Sequence, residues 1–375
     1  MIMRLAPLIA ILASASSLAS CSDAAPVQEP PLSEEALAAV ENDPGAAKRP
    51  LAREIDHLFT NEGLGETRAV VLLHEGAIAA ERYAPGYDAD TRFVSWSMAK
   101  TVTAVMIGML VADGRLELDA PAPVPAWQRP GDARSEITLR HLLQMRSGLD
   151  HTEAGPVPAE SSEVRMLFLD GRDDMARWAE EQPLEAEPGE RFEYSSNTTV
   201  ILADIAARTL TDSEDPEVRR RVVADYLRSR LFEPLGMSSV VPEFDASGTL
   251  IGGSLIHATA RDWARFADFL RNKGSYHGAQ LVPRKWIEQM VTPSPKSPHY
   301  GFQAWLNRPT GEKDHPLVPE RAPASLFAMI GHMGQYALVS PSQRVTLVRL
   351  GHSDAPERRA MLQQAADVLE LYPEG

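Results

Sequence analysis

Apolar positions divide the chain into segments of different period. Leu5 to Ala19 is an unbroken stretch of apolar and small residues behind a start that carries one charge, Arg4. Its length and flank read as a secretory signal, too short for a transmembrane helix. Leu51, Ile55, Leu58 and Phe59 recur at helical spacing. Ala69 to Leu73 and Ala77 to Tyr83 are strand-like runs separated by His74-Glu75-Gly76, which predicts a hairpin. Met98 to Ala112 is apolar on nearly every face and stops at Asp113-Gly114, predicting a helix buried in the middle of the protein. Ile137 to Met145 predicts a helix with Thr138 as N-cap; Met175 to Glu181, Thr199 to Leu210 and Glu217 to Leu231 also read as helical. Thr259-Ala260-Arg261-Asp262 predicts a capping box opening a helix through Leu270. Tyr300 to Leu306, Gln335 to Ser340 and Val345 to Leu350 are strand-like, and Glu357 to Leu371 predicts a closing helix. The order predicts one sheet built from both ends of the chain, with a helical part between. The regular strand–helix alternation of a doubly wound sheet is missing.

Composition narrows the picture. With 375 residues the chain is long enough for a large core, and its single cysteine excludes an intramolecular disulfide, a CxxC pair and a multi-cysteine zinc site. The formal charge of −15 argues against a nucleic-acid partner. That cysteine closes Leu18-Ala19-Ser20-Cys21, which resembles the bacterial lipobox. In this reading residues 1–20 are a lipoprotein signal and Cys21 is a lipid anchor. Residues 21–50, rich in Ala, Pro, Glu and Asp, are then an extended tether, and the protein sits in the cell envelope, facing the periplasm.

Only six residues are lysine, and of these only Lys100 has a serine three positions before it. Side chains three apart share a helix face, so Lys100 reaches Ser97. A serine hydroxyl needs a neighbouring base to become a nucleophile, and desolvation among other cations is expected to free Lys100 of its proton. Tyr194, in Tyr194-Ser195-Ser196-Asn197, is a second candidate, a phenol with a lowered pKa that relays a proton. Gly331-His332-Met333-Gly334-Gln335 is a third, glycines beside a strand followed by an N–H suited to an oxyanion hole. A surface Ser–Lys coincidence, a half-buried tyrosine and a plain turn are the structural alternatives to the three.

Together the segments resemble the serine β-lactamase and penicillin-binding-protein superfamily, above all its class C-like branch with esterases and 6-aminohexanoate-dimer hydrolases. Ser97-Met98-Ala99-Lys100, Ile137 to Leu143 leading to Ser147-Gly148-Leu149, Tyr194-Ser195-Ser196, Pro234-Leu235-Gly236-Met237, Ala258 to Phe266 and Gly331 to Gln335 carry the likeness. It implies an α+β fold, an antiparallel sheet flanked by helices (about 51–128 and 250–375) with an inserted mainly helical domain (about 129–249). It implies an acyl-enzyme on Ser97, with Lys100 and Tyr194 sharing acid and base work and the N–H groups of Ser97 and Gln335 forming the oxyanion hole. Ser196, Asn197, His332 and Gly334 are the substrate-binding candidates. No metal or cofactor is implied. Two departures stand out. The family's Tyr-x-Asn is here Tyr194-x-Ser196, and its Lys-Thr-Gly is His332-Met333-Gly334, which removes a cation that holds a substrate carboxylate. The expected substrate is therefore an ester or small amide, ahead of a β-lactam or D-Ala-type peptide. An α/β-hydrolase is disfavoured because no Gly-x-Ser-x-Gly occurs, and a metallohydrolase because no HExxH does. A catalytically inactive envelope binding protein on the same fold is the alternative from another class.

Overall fold

The computed structural model describes residues 31–309 and 315–375. The signal segment and Cys21 lie outside the described residues. Ser33 caps a short helix, Glu34–Ala38 (α1), accepting from the Ala36 N–H at 3.0 Å. The chain then follows the outer edge of the first hairpin. The Glu81 N–H donates to Ala39 O at 2.8 Å, and the Glu41 N–H donates to Ala79 O at 3.0 Å. Ala36 and Val40 are buried. Residues 33–50 are thus packed, against the expectation of an extended tether. Two small apolar side chains seat a segment whose backbone covers an otherwise unpaired sheet edge.

Lys48–Thr60 (α2) precedes Glu66–His74 (β1) and Ala77–Tyr83 (β2). Glu75 and Gly76 both take positive φ, 53° and 86°, the tight hairpin turn that the Glu-Gly pair suggests. After Arg92–Val94 (β3) comes Ala99–Ala112 (α3), buried from Ala99 through Leu110. Leu139–Leu143 (α4) is capped by Thr138, which accepts from the His141 N–H at 3.2 Å. Ser162–Phe168 (α5), Met175–Glu180 (α6), Ser196–Leu210 (α7) and Pro216–Leu227 (α8) follow. α7 starts three residues before the predicted Thr199, because Ser195 is its N-cap. Val241–Pro242 (β4) and β3 flank Ile256–Thr259 (β5) in a small second sheet. Thr259 caps Ala260–Arg271 (α9), but the predicted capping box is half made: the Asp262 carboxylate instead accepts from Ser239 N–H and Oγ, at 2.9 and 2.6 Å. Ser275–Tyr276 (β6) and Ala279–Gln280 (β7) form a short hairpin before Arg284–Met290 (α10).

The last strands are Trp305–Leu306 (β8), Phe327–Gly331 (β9), Gln335–Ser340 (β10) and Val345–His352 (β11), closed by Ala355–Glu370 (α11). Six strands pair antiparallel in the order β2-β1-β11-β10-β9-β8, so the two chain ends build one sheet. The strand predicted over Tyr300 to Leu306 shrinks to β8. Gln303 takes φ 55°, and the Gly301 N–H donates to Ala304 O, folding the segment into a tight turn.

Both sheet faces are covered, which is why β1 reads as a continuous apolar run. Val70 and Leu72 join α2 and α11 residues in one core, while Ala69, Val71 and Leu73 join α3, α7 and α9 residues in the other. Among the described residues no helix is long and apolar enough to cross a membrane.

Candidate active site

Ser97 lies on a single helical turn, Trp96–Met98, between β3 and α3. Buried Ser95 anchors that turn to β5, its Oγ accepting from the Ile256 N–H at 3.1 Å and its N–H donating to Ile256 O at 2.9 Å. Gly331 of β9 crosses so close that a Cβ there would stand 2.3 Å from Ser95 O. Trp96 takes φ 45°, a region that costs a non-glycine residue about 1–3 kcal/mol and clusters at functional sites. The turn thus holds Ser97 partly exposed while Lys100, one turn on, is only 1% exposed.

The Lys100 ammonium donates to Ser97 Oγ at 2.9 Å, Ser196 Oγ at 2.7 Å and Gly253 O at 2.9 Å. Three donors on three acceptors is the complete bonding of a protonated lysine. Glu153 Oε1 stands 3.5 Å away. Burial alone lowers the Lys100 pKa, but Tyr194, Glu153 and Glu163 outweigh it and hold the amine above its ordinary value. The expectation of a cation-crowded, deprotonated lysine is therefore corrected: no cation crowds it, and Tyr194 first, then the Glu153 and Glu163 carboxylates, keep the charge in place.

Tyr194 precedes the Ser195 N-cap of α7, and Lys100 Nζ sits 4.8 Å from its ring centroid. Tyr300 packs edge-on against it at 5.7 Å, and Trp305 lies tilted over it at 5.0 Å. Burial in this aromatic wall raises the phenol pKa, and the opposing effects of Lys100 and Ser97 leave it raised. This corrects the expected lowering, so Tyr194 is a neutral phenol at pH 7.

Two residues not singled out from the sequence complete the site. Glu153, on the loop after α4, accepts from the Ser196 N–H at 2.5 Å and from Ser196 Oγ at 2.7 Å. The N–H belongs to the first turn of α7, where donors lack partners and a carboxylate is favoured. Glu163, in the first turn of α5, stands 3.3 Å from the same hydroxyl. Burial and the neighbouring Glu153 carboxylate push Glu163 up to about 7, against the pull of Lys100 and Ser196. The sequence holds one hint, Ser161 placed to cap a short apolar-faced helix, which it does.

Both carboxylates line a cavity of about 290 Å³ with Trp96, Pro158, Val164, Phe168 and His332. No Lys or Arg is among its described lining residues. Neither this cavity nor a larger one of about 580 Å³, bounded by Trp305, Tyr336 and Arg358, is lined by Ser97, Lys100 or Tyr194; the smaller one adjoins them through Trp96 and Glu153. His332 is exposed and meets Trp96 edge-on at 5.4 Å. Burial lowers its pKa, with Arg358 and His352 adding to the effect, so its imidazole is neutral at pH 7.

Other candidates sit differently. Asn197 is fully buried, donating to Ser162 O at 3.3 Å and accepting from Ser195 Oγ at 3.4 Å, so it ties α5 to α7 rather than facing the cavity. Gly334 takes φ 81°, and its carbonyl accepts from Arg349 at 2.9 Å; it belongs to the turn into β10. Gln335 opens β10 with its carboxamide spent on both backbone groups of Gly351, at 2.6 and 3.0 Å.

A family model described as Beta-lactamase matches residues 66–370. The 6-aminohexanoate-dimer hydrolase of Paenarthrobacter ureafaciens is 24% identical over 271 residues, 66% of this chain and 64% of that protein. The chain thus spans slightly less than two thirds of that relative's length. A Bacillus anthracis structure assigned as a 6-aminohexanoate-dimer hydrolase superposes with a TM-score of 0.64 at 23% identity, covering 82% of this chain and 81% of that one. A family VIII carboxylesterase superposes with a TM-score of 0.60 at 14% identity, over 85% and 97%. These structures share the fold, while the sequence match runs from the first strand of the sheet to the last helix. The chain belongs to the beta-lactamase family.

Proposed function

We propose that Ser97 is the nucleophile of an acyl-enzyme mechanism acting on an ester or small amide. The observation that carries this is the 2.9 Å contact between Lys100 Nζ and Ser97 Oγ, made by a buried lysine below a partly exposed serine. Lys100 and Tyr194 are the groups through which the serine proton leaves and returns. The N–H groups of Ser97 and Gln335 are suited to hold the oxyanion, the second through the turn that packs Gly331 on Ser95.

The substrate preference follows from charge. A β-lactam or D-Ala-terminated peptide carries a carboxylate, and a cavity lined by Glu153 and Glu163 with a neutral His332 offers no cation to hold it. The apolar wall of Trp96, Val164 and Phe168 favours a neutral acyl group. Hydrolysis of p-nitrophenyl acetate or butyrate alongside nitrocefin tests the preference. Ester turnover well above nitrocefin turnover is expected, and efficient nitrocefin turnover without ester turnover refutes it. A fluorophosphonate probe tests the nucleophile: one adduct by intact mass in wild type, none in S97A. A folded wild type that takes no label favours a binding protein instead.

For location, we carry forward the reading of Cys21 as a lipid anchor in the bacterial envelope. Partition of the full chain into a detergent phase, lost in C21S with ester turnover intact, is its test.

A further inference from the structure

A serine nucleophile must give up a proton, and at rest neither neighbour is free to take it. Lys100 already carries three hydrogens on three acceptors, and Tyr194 is a neutral phenol. The hydrogen bonds continue past the lysine. Lys100 donates to Ser196 Oγ at 2.7 Å, and Ser196 Oγ donates onward to Glu153 Oε1 at 2.7 Å. A hydroxyl that accepts on one side and donates on the other passes a proton without moving a heavy atom. Glu163 stands 3.3 Å from the same oxygen, but one hydroxyl hydrogen serves one carboxylate at a time. Two carboxyl groups around one hydroxyl resist being ionised together and share a proton.

We propose that the Glu153–Glu163 pair is the proton store of this site, filled from Ser97 through Lys100 and Ser196 during acylation. The inference rests on Ser97 being the nucleophile. The Ser97 Oγ–carbon bond forms, and its proton passes to Lys100 Nζ as one ammonium proton moves through Ser196 Oγ to Glu153. The bond from the carbonyl carbon to the leaving group then breaks. The leaving group takes a proton from the Tyr194 phenol, which recovers one from Lys100, and Lys100 recovers one from the pair by way of Ser196. In deacylation a water gives its proton to the same chain, and Ser97 receives one as its ester bond breaks. Glu153 and Glu163 act through Lys100 and Ser196, as proton-holding and positioning residues.

The groups facing the pair are Lys100 from α3, Tyr194 before α7, Tyr300 before β8 and His332 before β10. Lys100 and the tyrosines keep their protons at neutral pH, and Glu163 is the group of this cluster raised into that range. Glu163, pushed up to about 7, puts the loss of the pair's proton in that range. Accepting a proton requires the pair to be ionised, so turnover rises with pH through about 7.

The test is kcat/KM for a neutral p-nitrophenyl ester from pH 5 to 9, in wild type, S97A, E153Q, E163Q, E163D and H332Q, with fluorophosphonate labelling of each. Wild type is expected to show an acid limb near pH 7. E153Q removes the like charge beside Glu163, so its limb moves to lower pH, and E163Q removes the limb near pH 7. E153Q, which cuts the chain, also loses about 100-fold or more in kcat. E163D keeps the limb near its wild-type position. A wild-type profile flat through pH 7 overturns the proposal without any variant. A limb unmoved in both glutamine variants, or one that vanishes in H332Q, overturns it too. Wild type that labels at Ser97 while the limbs stay put refutes the proton store alone. S97A that still turns over ester refutes the nucleophile beneath it.

Discussion

Replacing Lys100 with methionine separates the role of this residue in the reaction from its role in the fold. Methionine keeps the unbranched length and removes all three donors. The Gly253 carbonyl then lies buried without its 2.9 Å partner, a loss of about 1–3 kcal/mol. Glu153 loses a cation at 3.5 Å. In the other direction, the burial of an ammonium that is 1% exposed is relieved, and that burial costs several kcal/mol. The terms oppose, so the global stability of K100M should stay within about 3 kcal/mol of wild type. Its rate has no such compensation. The path from Ser97 to Ser196 is cut, and positioned acid–base groups contribute about 10²- to 10⁴-fold, equivalent to about 3–5 kcal/mol of barrier. Urea unfolding followed by tryptophan fluorescence, alongside kcat/KM for a p-nitrophenyl ester, measures both. A folded K100M that keeps more than about a tenth of wild-type turnover refutes the reasoning on the rate. A stability loss above about 5 kcal/mol shows that the buried cation supports the fold far more than this balance allows.

Glu180 is buried near Asp204, and burial followed by that carboxylate pushes it up to about 8. The folded chain therefore holds a proton that the unfolded chain loses above the ordinary carboxylate range, so this group removes stability as pH rises from there through about 8. E180Q should match wild type in melting temperature near pH 5 and exceed it near pH 9; equal values throughout contradict the linkage. V40D places a charge at a buried position on the edge of β2. Its cost is capped by the free energy of undocking residues 33–46, so the expected signature is local: faster hydrogen exchange at the Glu81 N–H with little change at β10. Unchanged protection of that amide contradicts the docking. G331A forces a methyl group against Ser95 O, a backbone atom that cannot rotate away. It should cost about 1–3 kcal/mol of stability and lower kcat by displacing the Ser97 turn, whereas full activity shows that the crossing tolerates a side chain.

The elements readable along the chain were those whose signal is local. The hairpin turn is written in Glu75-Gly76, and α3 in a run buried on all faces. β9 was not recognised, because Leu326 to Ile330 is a five-residue apolar stretch, and such a run fits a buried strand or a loop packed under others. Its neighbours β8 and β10 make it a strand. Residues 33–50 failed for the opposite reason. Their composition matches a linker, and only the vacant edge of β2 gives Ala36 and Val40 somewhere to go.

The site divides along the same line. Three-residue spacing on one helical turn places Lys100 beside Ser97, a distance that the backbone alone enforces. Spacing carries no information about protonation, because charge depends on what other segments bring. Here Tyr194 before α7 and a loop 53 residues on, which brings Glu153 within 3.5 Å of the amine, together reverse the sign of the expected lysine shift. The tyrosine shift reverses too, because Tyr300 and Trp305, more than a hundred residues away in sequence, bury the phenol. A serine three positions before a lysine thus specifies where a nucleophile stands. Whether the lysine is a base or a cation depends on Tyr194 and on the segment from the loop after α4 into α5, and that segment also sets which charges line the cavity. Variation in this one segment is therefore able to change both the pH dependence and the substrate preference, while the turn at Ser97 stays as it is.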